Sequence, residues 1–131
     1  MSTASRLGYD GEKPVLDFYR DHDRELIDTL REINGHFGED PNYYRPRAGH
    51  RDDCGDIAGL PYVVSCKNWK SLRPADWISG LKLQCANAKQ PTGIVVWKRR
   101  GKANPADWYV LSTLGLFMPF HDAYLMAELS A

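Results

Sequence analysis

Gly93 is followed by Ile94-Val95-Val96-Trp97, a continuous apolar run with no polar residue to turn toward water. A strand built this way is covered on both faces, which calls for a sheet with helices packed on its two sides. In 131 residues there is room for one such domain with a real core, and not for two ordinary ones. The rest of the chain supplies the remaining elements. Pro14 suits the first turn of a helix, and Val15, Tyr19, His22, Leu26, Leu30 and Ile33 follow at three- and four-residue steps. That spacing predicts a helix over 14–34, ended by Asn34-Gly35.

Tyr43-Tyr44-Arg45 reads as a short strand, and residues 49–55 as polar turn. Gly59-Leu60-Pro61 is expected to turn a hairpin whose second strand is Tyr62 to Lys67. A second helix is expected from about Ser71, with Pro74 near its first turn and Trp77, Leu81, Cys85 and Ala88 along one face. Lys98 to Lys102 forms a basic turn, Trp108 to Leu111 a returning strand, and His121 to Leu129 a closing helix. The predicted order is α, β, β, β, α, β, β, α, an α/β domain with a mixed β-sheet flanked by helices.

Hydrophobic residues make up 43% of the chain and charged residues 26%, values of a globular protein and not of a disordered one. No uncharged apolar stretch is long enough to span a membrane, and the first residues lack an apolar signal core. Three cysteines cannot all pair within one chain, so a reducing cytoplasm is the expected setting. The net charge of zero hides a segregation. Residues 1–41 carry five Lys/Arg against ten Asp/Glu, and residues 42–102 carry twelve against four. An excess of that size in the middle of the chain suits a polyanionic partner.

The chemistry concentrates in the predicted hairpin. Asp56 and Lys67 lie on its two arms, where their side chains can meet at one end. A carboxylate holds a hard cation through oxygen, and a neighbouring lysine orients water or offsets charge developing on a phosphate. The bland alternative is a turn-capping aspartate and a solvated lysine at a strand end.

The run Gly55-Asp56-Ile57-Ala58-Gly59-Leu60, followed by Val63-Val64-Ser65-Cys66-Lys67-Asn68, resembles the core of the phage- and archaeal-type Holliday junction resolvases. These belong to the PD-(D/E)XK nuclease superfamily, with a restriction-endonuclease-like core. In that pattern an Asp begins the hairpin and a Glu-x-Lys signature ends its second strand; Asp56 matches the first and Lys67 the last. Lys98-Arg99-Arg100-Gly101 resembles the basic turn after the next strand. Ser5, Arg6, Gly8, Glu12 and Val15 resemble the opening of the first helix, where the family carries another acidic residue.

The resemblance implies a nuclease dependent on Mg²⁺ or Mn²⁺ that hydrolyses branched DNA, in particular four-way junctions, in the host-cell cytoplasm if phage-encoded. Asp56, Glu12 and the Cys66 backbone carbonyl would hold the metal, with the Cys66 thiol turned away into the core, and Lys67 would position the attacking water. Symmetric cutting of two strands requires two sites, hence a homodimer. The chain departs from the pattern at Ser65, which stands where the family has a carboxylate and is a poorer ligand for a hard cation.

Glu12 is the first candidate to make up the deficit, and Glu25, on the flank of the helix stripe, the second. Arg45, Arg47, Lys98, Arg99, Arg100 and Lys102 are the candidate DNA-binding residues, suited to phosphate oxygens. Two other readings stay open: a catalytically impaired DNA-binding module that has kept the nuclease fold, and a nuclease for linear or flapped DNA. A zinc site from His50 and Cys54 with Cys66 or Cys85 matches no standard spacing.

Overall fold

The computed structural model describes residues 3–35, 41–46 and 53–131. Among the described residues the chain forms three helices and a three-stranded mixed sheet: α1 (Thr3–Asn34), β1 (Val63–Lys67), α2 (Pro74–Ala88), β2 (Gly93–Trp97), β3 (Tyr109–Leu111) and α3 (Leu114–Leu129). A one-turn 3₁₀ helix, Pro105–Asp107, precedes β3. The strand order is β1-β2-β3, with β1 and β2 parallel and β2 and β3 antiparallel. Parallel neighbours need a crossover, and α2 is that crossover.

The apolar run of β2 is covered on both faces, as its composition requires. On one side Val96 and Val64 pack with Val15 and Leu16 of α1, and with Ile57 and Trp108. On the other, Val95 and Val63 pack with Trp77, Leu81 and Cys85 of α2. Gly93 makes the close approach of the two parallel strands possible. A Cβ there would stand 2.7 Å from the Val63 carbonyl oxygen and 3.0 Å from a Leu81 methyl.

Several expectations change. Pro14 lies inside α1 and not in its first turn. The helix continues N-terminal to it because the turn is tied down by tertiary contacts: Gly11 abuts Asn68, where a Cβ would meet that side chain at 3.3 Å, and Glu12 is ion-paired to Arg45. The buried stripe of α1 is Val15, Leu16 and Ile27 with Tyr19 half-buried, while His22, Leu26 and Ile33 face solvent. Asp23 interrupts that stripe because it accepts a 2.5 Å hydrogen bond from the Tyr43 hydroxyl.

Tyr43-Tyr44-Arg45 is no strand; Tyr44 makes one isolated antiparallel bridge to Ala58. The first arm of the hairpin is likewise reduced to a bridge between Ile57 and Val64, and the second arm begins at Val63. The closing helix starts earlier than expected, at Leu114, because the Thr113 side chain accepts the Leu116 N–H and caps it. Among the described residues no helix is long and apolar enough to cross a membrane.

Candidate functional site

Alternation along β1 decides what its residues can reach. Val63 and Lys67 direct backbone groups toward β2 and its continuation: the Val63 N–H donates to the Thr92 carbonyl, and the Lys67 carbonyl accepts from Lys98 N–H at 2.9 Å. Val64 and Cys66 therefore direct theirs to the opposite edge. There the Val64 carbonyl accepts the Asp56 N–H at 2.8 Å, and the Cys66 N–H donates to Asp56 Oδ2 at 2.6 Å. Asp56 thus continues the ladder with its own side chain, and the Cys66 carbonyl points to the same edge.

The approach of Asp56 to this edge depends on Gly55. Its φ of +106° is open to glycine, and a Cβ would stand 2.8 Å from a Val63 methyl. Asp53 fixes the entry. One of its carboxylate oxygens accepts the Gly55 N–H at 3.0 Å and the other accepts Gln84 Nε2 at 2.8 Å, while Asn87 Nδ2 donates to its carbonyl. The sequence reading missed this clamp from α2. Its only local signal is the Asp-x-Gly spacing of an Asx turn.

Glu12 reaches the same place from α1. Gly11 lets the helix lie against Asn68, one residue beyond Lys67, so the next side chain projects at the end of β1. The Glu12 carboxylate lies near enough to Asp56 for its charge to bear on it. Arg45 binds Glu12 from the far side, with Nε at 2.8 Å and Nη2 at 2.5 Å from Oε2. One oxygen of each carboxyl group is thus taken by a protein donor, Asp56 Oδ2 by the Cys66 N–H and Glu12 Oε2 by Arg45.

Burial pushes the Asp56 carboxyl up to about 7; the Cys66 N–H opposes this, the nearby Glu12 adds to it, and the Lys67 ammonium lowers it. The Cys66 thiol is pushed well above its ordinary value by burial, then by the charges of Asp56 and Glu12. Its side chain packs against the core on the α1 face, as expected, yet stays within the field of both carboxylates.

The structure brings Glu12, Asp56, Cys66, Lys67 and Arg45 together from four separate segments. Glu25 is exposed on α1 and is not part of the group. Ser65 is 1% exposed, and alternation puts it on the Val63 side of the strand, the face turned to α2. Arg47 and His50 lie outside the described residues. Lys98, Arg99, Arg100 and Lys102 lie on the turn after β2, with Arg99 bonded to the Asp107 carbonyl at 3.0 Å. A depression of about 390 Å³ between Arg20, Asp28 and Tyr43 contains neither of the paired carboxylates.

Among the described residues no group of three or more His, Cys, Asp or Glu side chains is placed to hold a metal ion. The pair itself suits a hard cation of low protein-ligand demand. Two carboxylates and a carbonyl are oxygen donors, and Mg²⁺ commonly takes one or two carboxylates and keeps several waters. The class defined by fold and site is a mixed α/β protein with a half-buried carboxylate pair and a lysine at one strand end. The chain matches no family model, no curated protein and no solved structure.

Proposed function

We propose that this protein is a metal-dependent endodeoxyribonuclease with a PD-(D/E)XK-like core, acting on branched DNA as the Holliday junction resolvases do. The observation that carries the reading is the convergence of Glu12, Asp56 and Lys67, each named from the sequence, at the C-terminal end of β1. Asp56, Glu12 and the Cys66 carbonyl would hold Mg²⁺ or Mn²⁺. When bound, the ion polarises a phosphate and lowers the pKa of a coordinated water.

The chain's own residues have separate tasks. Arg45 holds the Glu12 carboxylate in place, and the Cys66 N–H holds that of Asp56. Lys67 orients the attacking water and offsets the charge that builds on the phosphoryl oxygens. Hydrolysis joins the water oxygen to phosphorus and breaks one ester P–O bond, the leaving oxygen taking up a proton. The basic turn after β2 supplies phosphate contacts that are blind to sequence.

A second reading is favoured by two observations: Ser65 is buried on the face turned to α2, and Arg45 already neutralises Glu12. On that reading the domain binds DNA and no longer cuts it. A labelled four-way junction, incubated with Mg²⁺, Mn²⁺ or EDTA, separates the two. Paired symmetric nicks that need metal and are abolished by Lys67→Ala, with junction binding retained, support the nuclease. Tight binding without cutting in either metal supports the binding module, and normal cutting by Lys67→Ala refutes the site.

Resolution of a junction by two opposed cuts calls for a homodimer. The exposed apolar side chains of α3, among them Leu114, Tyr124, Met126 and Leu129, are the surface we assign to the second copy.

A further inference from the structure

Beyond Lys67 the chain leaves β1 through Asn68 and turns at Trp69, whose carbonyl accepts a 2.8 Å hydrogen bond from Trp97 Nε1. That bond fixes the Trp69 backbone over the end of β2. Trp97 itself is half-buried, packed on Trp77 at 5.8 Å between ring centroids, and so forms the floor of a depression of about 220 Å³. Trp69 and Tyr109 form its aromatic walls and are 50% and 51% exposed.

Cations accompany both exposed rings. The Arg73 guanidinium lies 5.3 Å from the Trp69 ring centre, and that of Arg99 lies 4.5 Å from the Tyr109 ring centre. Lys70 and Arg100 add to the rim, and Lys98 also lines the depression, with its ammonium 5.7 Å from the Trp108 ring centre; every charged residue lining the depression is basic. Arg99 is further held by the Asp107 carbonyl. The aromatic edge is therefore anchored by backbone hydrogen bonds before any ligand arrives.

The volume narrows the choice of occupant. Pockets for whole cofactors or drug-sized ligands run from about 300 Å³ upward, and this depression is smaller. It fits one flat ring system whose attached anionic chain runs out over the basic rim. A single-stranded nucleic acid offers both features at once, since every base has a π-face and every linkage a charge. An acidic peptide matches the rim and has no use for the two half-exposed rings. Duplex DNA keeps its bases stacked and cannot offer one.

We propose that this depression is a stacking site for one unpaired base of a DNA strand. Trp69 lies two residues from Lys67, a chain distance of at most about 7 Å. An unpaired nucleotide seated here lies beside the end of β1 that carries Lys67. The substrate class is then DNA with an unpaired nucleotide beside the position cut, as at a branch point or a splayed end. That last step rests on the nuclease reading; base stacking at Trp69 does not.

The test is fluorescence anisotropy of a labelled oligo-dT of about ten nucleotides against the full chain in EDTA, where no metal-dependent cutting occurs. Trp69→Ala and Tyr109→Ala are each expected to weaken binding roughly 5- to 150-fold, the range set by the loss of one stacked base. Trp69→Phe should stay within a few-fold of wild type, and a duplex of equal length should bind all variants alike. Because the assay is run in EDTA and reads binding alone, a failed nuclease site leaves this result standing. Wild-type affinity in both alanine variants overturns the stacking site, as does displacement of oligo-dT by polyglutamate at equal charge concentration. Both alanine substitutions truncate half-exposed rings, and unchanged thermal unfolding of the variants excludes misfolding as the cause of a loss.

Discussion

Replacing Asp56 by Asn tests the site without any assumption about substrate. The carboxyl is raised from 3.8 in the unfolded chain to about 7 in the fold, chiefly by burial, so folding favours its protonated form. The sign follows from linkage. Both states are protonated well below pH 3.8, where the contribution of this group is fullest. As pH rises from 4 toward 7 the unfolded chain ionises first and gains, and the folded state loses stability until its own group ionises. Between pH 5 and pH 8 the loss comes to between about 2 and 3 kcal/mol, at about 1.36 kcal/mol per unit of pKa difference. In a chain of this length that is a fall in Tm of roughly 10 °C.

Asn keeps an oxygen to accept the Cys66 N–H and cannot ionise, so Asp56→Asn should show a nearly flat profile over the same range and exceed wild type at pH 8. Thermal unfolding in EDTA at pH 5, 6, 7 and 8 gives the difference between the two proteins, from which the histidine contributions cancel. Repeating the pH 8 measurement with Mg²⁺ should raise the Tm of wild type and not of the variant, because only a ligand of the folded state stabilises it. The same pH dependence in both proteins, or a variant less stable than wild type at pH 8, would refute the buried pair.

Three further outcomes follow from the packing. Ser65→Ala should leave cleavage within about twofold and cost about 1 kcal/mol or less, since the hydroxyl lies on the α2 face. A tenfold loss of cleavage with unchanged unfolding would show that it reaches the metal. Gly93→Ala puts a Cβ against the Val63 carbonyl and Leu81, and should lower the urea midpoint by the equivalent of about 2 kcal/mol at constant slope; an unchanged midpoint contradicts the Val63–Gly93 register. Met126→Lys, at a position 68% exposed on α3, should leave the Tm of the monomer unchanged and lower the molar mass measured by light scattering. A mass equal to that of wild type removes α3 as the homodimer surface.

The elements whose partners are near in sequence were legible. The four apolar residues of β2 state that both faces are covered, and Trp77, Leu81 and Cys85 at four-residue steps state which face of α2 does part of the covering. The polar edges were less so. The true stripe on α1 runs through Asp23, which looks solvent-facing until Tyr43, twenty residues away, is brought over it. Leu26 and Ile33 fit the period better and are exposed, because periodicity counts apolar residues and cannot see where the sheet ends. Pro14 misled for a related reason. A proline is tolerated inside a helix when the turn before it is held from outside, here by Asn68 and Arg45.

Within the site, Asp56 and Lys67 were legible because a hairpin of fixed length brings them together. Glu12 needed the additional resemblance at the helix start. Arg45 illustrates what one-dimensional reading loses: its place beside Tyr43 and Tyr44 suggested phosphate binding, yet its guanidinium holds Glu12. The two roles are physically opposed. An arginine on a phosphate lends affinity, whereas an arginine on a glutamate fixes that carboxylate beside a second acid. On the nuclease reading, a cation bound by the two carboxyl groups offsets both the burial of Asp56 and the charge of Glu12 beside it, the two causes that raise the Asp56 carboxyl. On that reading Arg45 has two effects of contrary sign on metal binding, since it holds Glu12 in place and also offsets its charge. Arg45→Lys, which retains the charge and loses the two-nitrogen grip, separates them: tighter Mg²⁺ binding means that charge offset dominates, and weaker binding means that the placement of Glu12 matters more.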